Sequence, residues 1–152
     1  MVVIMKPIST IKARLGLTPT GDVQSKLQDS CYRHMNKYVP YREGGLSKEV
    51  DLSNPKYIVY EMPYAHYMYI GEKYVMDNGK SAYYSPTYGF WSKKGAKKHP
   101  SGENLIYNQS RSHPYAGPYW DKRMVSAEID EVIKEVQNYI GGKRWQKKEL
   151  PK

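Results

Sequence analysis

The sequence predicts a single α+β domain in which an N-terminal helix and a long C-terminal helix pack on one face of a small, mostly antiparallel sheet. Three observations carry this. Residues 22–38 repeat their apolar positions at helical spacing, residues 56–62 alternate at strand spacing, and residues 118–140 return to helical spacing. Between the last two lies a long stretch, 72–117, rich in Gly, Pro, Ser, Lys and Tyr. A chain of 152 residues supports one modest core, since folding at this size buries about two-thirds of the surface. We read 1–142 as the domain and 143–152 as a basic, flexible tail.

Residues 2–5 form a short apolar run stopped by Pro7, which suggests an edge strand, and Ile11 to Leu15 suggest a helical turn stopped by Gly16. From Asp22 to Tyr38, the residues Val23, Leu27, Cys31, His34, Met35 and Tyr38 share one side of a helix. Asp22 or Thr20 is expected to cap its start, and Pro40 to enforce its end. Gly44-Gly45 then turns the chain into a strand at Leu46 to Leu52, which Ser53-Asn54-Pro55 joins as a hairpin to Lys56 to Met62. In that second strand Ile58, Tyr60 and Met62 face one way and Tyr57, Val59 and Glu61 the other. Tyr64 to Ile70, ended by Gly71, reads as one or two helical turns.

Within 72–117 only Glu103 to Gln109 resembles a strand, and a span this irregular suggests an arm that reaches a neighbouring subunit. The last helix opens at Gly117-Pro118 and is expected to close at Gly141-Gly142. Its apolar stripe is Val125, Ile129, Val132, Ile133, Val136 and Ile140, while Trp120 and Met124 lie on the other side of its first turns and need a cover of their own.

Composition narrows the function. Sixteen Tyr stand against a single Phe, so most large rings carry a hydroxyl that must meet water or a partner. A net charge of +9 favours contact with nucleic acid, anionic lipid or an acidic protein face. The lone Cys31 excludes an internal disulfide and a cysteine zinc cluster, and reads as a small hydrophobe on the helix face. The chain start lacks the basic region of a signal sequence and no membrane-length apolar run occurs, so the chain reads as soluble and not exported.

No catalytic constellation is visible. His34, His66, His99 and His113 form no metal-ligand spacing. His34 reads as a core histidine, His66 as structural, and the two loop histidines as solvated. No nucleophile elbow, phosphate loop or dinucleotide fingerprint occurs. Glu128, Asp130, Glu131 and Glu135 read as a solvated helix face. No cofactor and no metal are therefore expected. Nucleic-acid binding is the alternative function: Lys93-Lys94-Gly95-Ala96-Lys97-Lys98 follows Tyr83, Tyr84, Tyr88, Phe90 and Trp91, and cations beside stacking rings suit a single strand. The two blocks are sequential rather than interleaved, which argues against it.

Three segments in order carry a resemblance: Tyr38-Val39-Pro40-Tyr41-Arg42-Glu43-Gly44-Gly45-Leu46, then Tyr60 through Gly71 with its Pro63-Tyr64-Ala65-His66-Tyr67-Met68-Tyr69, then Pro114-Tyr115-Ala116-Gly117-Pro118-Tyr119-Trp120-Asp121-Lys122-Arg123-Met124. Together they resemble the minor capsid proteins of tailed phages and prophages of Gram-positive hosts, over about residues 20–140. Glu43, where that family has Thr, and the lysine-rich arm depart from the pattern. The resemblance implies a non-enzymatic role in the neck, where a ring of such subunits joins portal and head to tail. Its partners would be copies of itself, neighbouring neck and tail proteins and, without sequence preference, DNA in transit, with no membrane contact. Its place would be the head–tail joining region of the virion, and the host cytoplasm during assembly. For assembly contacts we single out Tyr88, Phe90, Trp91, Lys93 and Lys94 on the arm, with Trp120 and Met124 at the start of the last helix; a core role competes for Trp120.

Overall fold

The computed structural model describes residues 13 and 16–146. The edge strand expected at 2–5, most of the turn at 11–15 and the tail beyond 146 lie outside the described residues. Helix α1 (Asp22–Asn36) buries Val23 and Met35, with Leu27 and Cys31 half-buried beside them, as the periodicity implies. Its cap differs from expectation. The N-cap is Gly21, with no side-chain cap bond. The chain doubles back so tightly from Gly16 that a Cβ at position 21 would collide with the Gly16 carbonyl, which leaves no room for a capping side chain. Tyr38 and Val39, buried just beyond the helix, continue its apolar face ahead of Pro40.

After Gly44, whose φ of +90° suits glycine, the expected strand at 46–52 is replaced by a single helical turn, α2 (Gly45–Lys48), and a two-residue strand, β1 (Val50–Asp51). Leu46 is thereby driven into the core. Strand β2 (Val59–Tyr60) pairs antiparallel with β1, Val50 opposite Tyr60, so the hairpin stands but is shorter than the alternation suggested. The faces fall as read: Ile58, Tyr60 and Met62 pack on the core while Tyr57 and Val59 are exposed. The connecting loop is held from α1, where the buried Gln28 amide donates to the carbonyls of Asn54 (2.8 Å) and Tyr57 (2.6 Å).

Helix α3 (Ala65–Ile70) ends, as expected, at Gly71, whose φ is +82° and where a Cβ would stand 2.9 Å from Pro118. The arm then departs from the sequence reading. It is no irregular loop but two nested antiparallel ribbons: β3 (Glu72–Val75) with β6 (His99–Asn104), and, further out, β4 (Tyr83–Ser85) with β5 (Gly89–Trp91). The strand expected at 103–109 is displaced to 99–104 because its partner β3 begins straight after α3, and the ladder closes at the root with Leu105 N–H donating to Gly71.

Helix α4 (Trp120–Gln146) runs 27 residues, about 40 Å, straight through Gly141-Gly142. Glycine weakens a helix by about 1 kcal/mol without forbidding it. The β pairs remain three separate two-stranded ribbons, not one sheet. The core instead lies chiefly between α1 and α4, built from Met35, Tyr38, Val39, Leu46, Trp120, Met124 and Val132. The buried side of α4 is accordingly rotated from the expected stripe: Val132 is fully buried, whereas Val125 and Ile133 are 46 % and 45 % exposed.

Candidate assembly surface

Two side-chain constellations stand out, one inside the body and one on the arm. The internal one crosses the α1–α4 interface. His34 Nδ1 lies 2.5 Å from Glu128 and its Nε2 3.0 Å from Glu135. Carboxylates only accept, so both ring nitrogens donate and the imidazole is held as a cation. Burial opposes that charge, yet the two carboxylates outweigh it and raise the His34 pKa. Burial also opposes ionisation of Glu128, but hydrogen bonds from Lys37, His34 and Tyr38 bring its pKa down to about 2. Bonds from Ser30, His34 and Arg33 bring Glu135 to about 2. The carboxylates read as a solvated face thus divide: Glu128 and Glu135, seven residues apart on one side of α4, grip α1, and Asp130 and Glu131 face water. The i,i+7 spacing opposite His34 was the available signal. Its contacts join α1 and the residue just after it to α4, and its chemistry is that of a clamp.

The other histidines are scattered. His66 is exposed and edge-on to Tyr67, and His99 is exposed near Asp77. His113, expected in solvent, is only 3 % exposed and stacks on Tyr41 at 4.6 Å, because the loop before α4 folds back over the end of α1. Among the described residues no group of His, Cys, Asp and Glu could hold a metal, and no helix is long and apolar enough to cross a membrane.

On the arm, register places aromatic pairs on both faces of the outer ribbon. Tyr83 lies opposite Trp91, ring centroids 5.1 Å apart, and Tyr84 opposite Phe90 at 5.2 Å. The principal packing of β4 and β5 is with each other. Hence Tyr88 at the turn is 82 % exposed, Phe90 67 % and Trp91 48 %, with Lys93 and Lys94 exposed beyond them. A free two-stranded ribbon is marginal in water, and this one shows rings on both sides and an unpaired edge on each strand.

Trp120 and Met124 do not join that surface. At 3 % and 2 % exposure they are core, Trp120 edge-on to Tyr60 and Tyr69. The helix turns them inward because α3 and the β1–β2 ribbon cover the side that the apolar stripe had left open.

Charge is divided in the same way. Residues 72–104 carry six Lys against three carboxylates, whereas 16–71 together with 105–146 carry twelve basic and eleven acidic residues. The excess positive charge lies chiefly in the arm and in residues 1–15 and 147–152.

The described residues thus form a body built around two packed helices and a basic, aromatic arm. Comparison with known families places the chain: the family model for minor capsid proteins matches residues 8–101, and the chain belongs to that family of phage structural proteins. The match takes in the first two resembling segments and the arm to the start of β6, but stops short of the third segment at 114–124. No curated protein and no solved structure matches the chain.

Proposed function

We propose that this minor capsid protein is a neck component that joins head to tail as one subunit of a ring and performs no catalysis. The observation that supports this reading is the outer ribbon of the arm, whose exposed rings and unpaired edges gain cover only when subunits pack together. The partners are further copies of the chain and the adjoining neck and tail proteins. Lys93 and Lys94 give the arm a preference for acidic faces and a secondary, sequence-independent affinity for passing DNA. Electron microscopy of particles made after deleting the gene tests the reading. Filled heads accumulating apart from complete tails are expected, and normal infectious particles would overturn it.

A further inference from the structure

The inner and outer ribbons of the arm are joined by the turn from Met76 to Lys80, and the corner of that turn is Asn78-Gly79, both exposed. The Met76 carbonyl accepts from the Gly79 N–H (2.8 Å), the Lys80 carbonyl from the Met76 N–H (2.9 Å), and Gly79 completes the turn at a φ of +76°. The Asn78 amide is engaged at both ends: Oδ1 accepts from the Lys80 N–H at 3.0 Å, and Nδ2 donates to the Tyr83 hydroxyl at 2.8 Å. Asparagine before glycine has a chemistry of its own. The next residue's amide nitrogen can reach the side-chain carbonyl carbon by closing a five-membered ring, and glycine has no side chain to hinder it. At Gly79 that side is open, with no atom beyond its chain neighbours within 4 Å of where a Cβ would stand.

We infer that Asn78-Gly79 is a self-modification site, at which the chain loses the Asn78 amide through a cyclic imide and so alters its own arm. The Gly79 nitrogen gives its proton to solvent base and attacks Asn78 Cγ. The N–Cγ bond forms, the Cγ–Nδ2 bond breaks, and the amide leaves as ammonia with a proton from water. Water then opens the imide at either carbonyl, leaving aspartate or isoaspartate. Negative charge develops on Oδ1 during the attack, and the Lys80 N–H is already directed at that oxygen. The hydrogen bond from Gly79 to Met76 must open first, as exposed turns do far more readily than a core. No other asparagine has this combination. Of the six, Asn54 precedes Pro55, whose nitrogen has no proton to lose, and Asn36, Asn104, Asn108 and Asn138 precede Lys, Leu, Gln and Tyr, whose side chains crowd the attacking nitrogen.

The consequences fall on the arm. Either product raises its three carboxylates to four against six Lys. An aspartate at 78 can only accept, so the bond to Tyr83 reverses and the hydroxyl donates. Isoaspartate adds a main-chain carbon to the turn and shifts the aromatic outer ribbon relative to the inner one. The arm thus changes irreversibly with age at the joint between its ribbons.

The test is chemical and uses the full-length chain. Folded protein is incubated at mildly alkaline pH, with a parallel sample in denaturant. The tryptic peptide spanning 74–80 is followed by mass spectrometry, and isoaspartate is detected by enzymatic carboxyl methylation. In the folded chain Asn78 is expected to convert several-fold faster than Asn108, which is also exposed. The product should be a mixture of aspartate and isoaspartate, and the rate should rise in proportion to hydroxide. Conversion in denaturant but not in the folded chain would show that the turn locks the amide, and would overturn the inference. So would aspartate as the sole product, because direct hydrolysis gives no isoaspartate, or a rate at Asn78 no greater than at Asn108. Gly79→Ala is expected to suppress the reaction; should alanine at a positive φ disturb the arm, the product mixture and hydroxide dependence of the unaltered chain still decide. Neither result bears on the neck role.

Discussion

The body and the arm use the same residue, tyrosine, in opposite ways. In the body three of the rings are held at two points. Tyr38 is buried against the core and donates to Glu128 at 2.8 Å, Tyr69 packs on Trp120 and donates to Asp121 at 2.8 Å, and Tyr107 donates to the Met68 carbonyl at 2.6 Å. Burial and the neighbouring carboxylate push Tyr38 and Tyr69 up to about 12, so both stay neutral donors at any physiological pH. On the arm Tyr84 and Tyr88 lie open to solvent at 66 % and 82 %. Those body rings have finished their packing within the chain; the arm has rings in excess of what the chain can cover. A tyrosine-rich composition therefore says little until one knows which hydroxyls have found an acceptor.

This contrast can be broken from the body side first. Trp120→Ala removes the ring that Tyr60 and Tyr69 pack on and is expected to destabilise the isolated chain by about 3–5 kcal/mol in a denaturant melt; a loss near zero would return Trp120 to the assembly surface. Gly71→Ala forces a positive φ on alanine and sets its Cβ against Pro118, for a loss of about 2 kcal/mol read in the same melt. His34→Ala leaves Glu128 and Glu135 without their shared donor and is expected to cost about 1–2 kcal/mol near pH 6.

The same clamp sets a pH dependence. The His34 pKa is raised on folding, so its contribution is complete below the unfolded value near 6.5 and disappears as pH rises through the folded value. Glu128 and Glu135 are lowered to about 2, so theirs is complete above about 4.5 and disappears as pH falls toward 2. Lys37, Arg33, Tyr38 and Ser30 also face these carboxylates. Stability should be greatest between about pH 4.5 and 6.5, and its alkaline decline should vanish in His34→Ala when melts are repeated at pH 6 and 9. From the arm side, Phe90→Ser with Trp91→Ser should change the melt of the isolated chain by no more than about 0.5 kcal/mol, while particles carrying the pair should lose the chain from purified virions.

The sequence disclosed the body better than the arm for a physical reason. Helix α1 and the inward face of β2 are read from period alone, because burial against a fixed core leaves one side apolar. The cap at Gly21 and the helical turn at Gly45–Lys48 escaped, being set by a close backbone approach and by the need to bury Leu46. Most of the arm's pairing escaped: β3 and β6 join residues such as Val75 and His99, and within these two strands only Val75 is buried, which leaves no alternation to read. The aromatic and basic residues of the arm surface were nonetheless visible as composition. Trp120 and Met124 were not placed, since an apolar group on a second helix face fits a subunit contact and a folded-over α3 equally well.

The root of the arm has a mechanical meaning. A pull on the tip, with both strands of the β3–β6 ribbon leading away from it, loads the two strands side by side and does not unzip the ladder between them. The load arrives at Gly71 and Leu105, which are bonded to each other, and passes through Tyr107 to Met68 and through Tyr119, whose N–H donates to Tyr69 at 3.0 Å, into the first turn of α4. Tension on the arm is thus delivered to the part of the core where Trp120 and Met124 sit, so the fold is anchored at the point where a tethered subunit would be pulled.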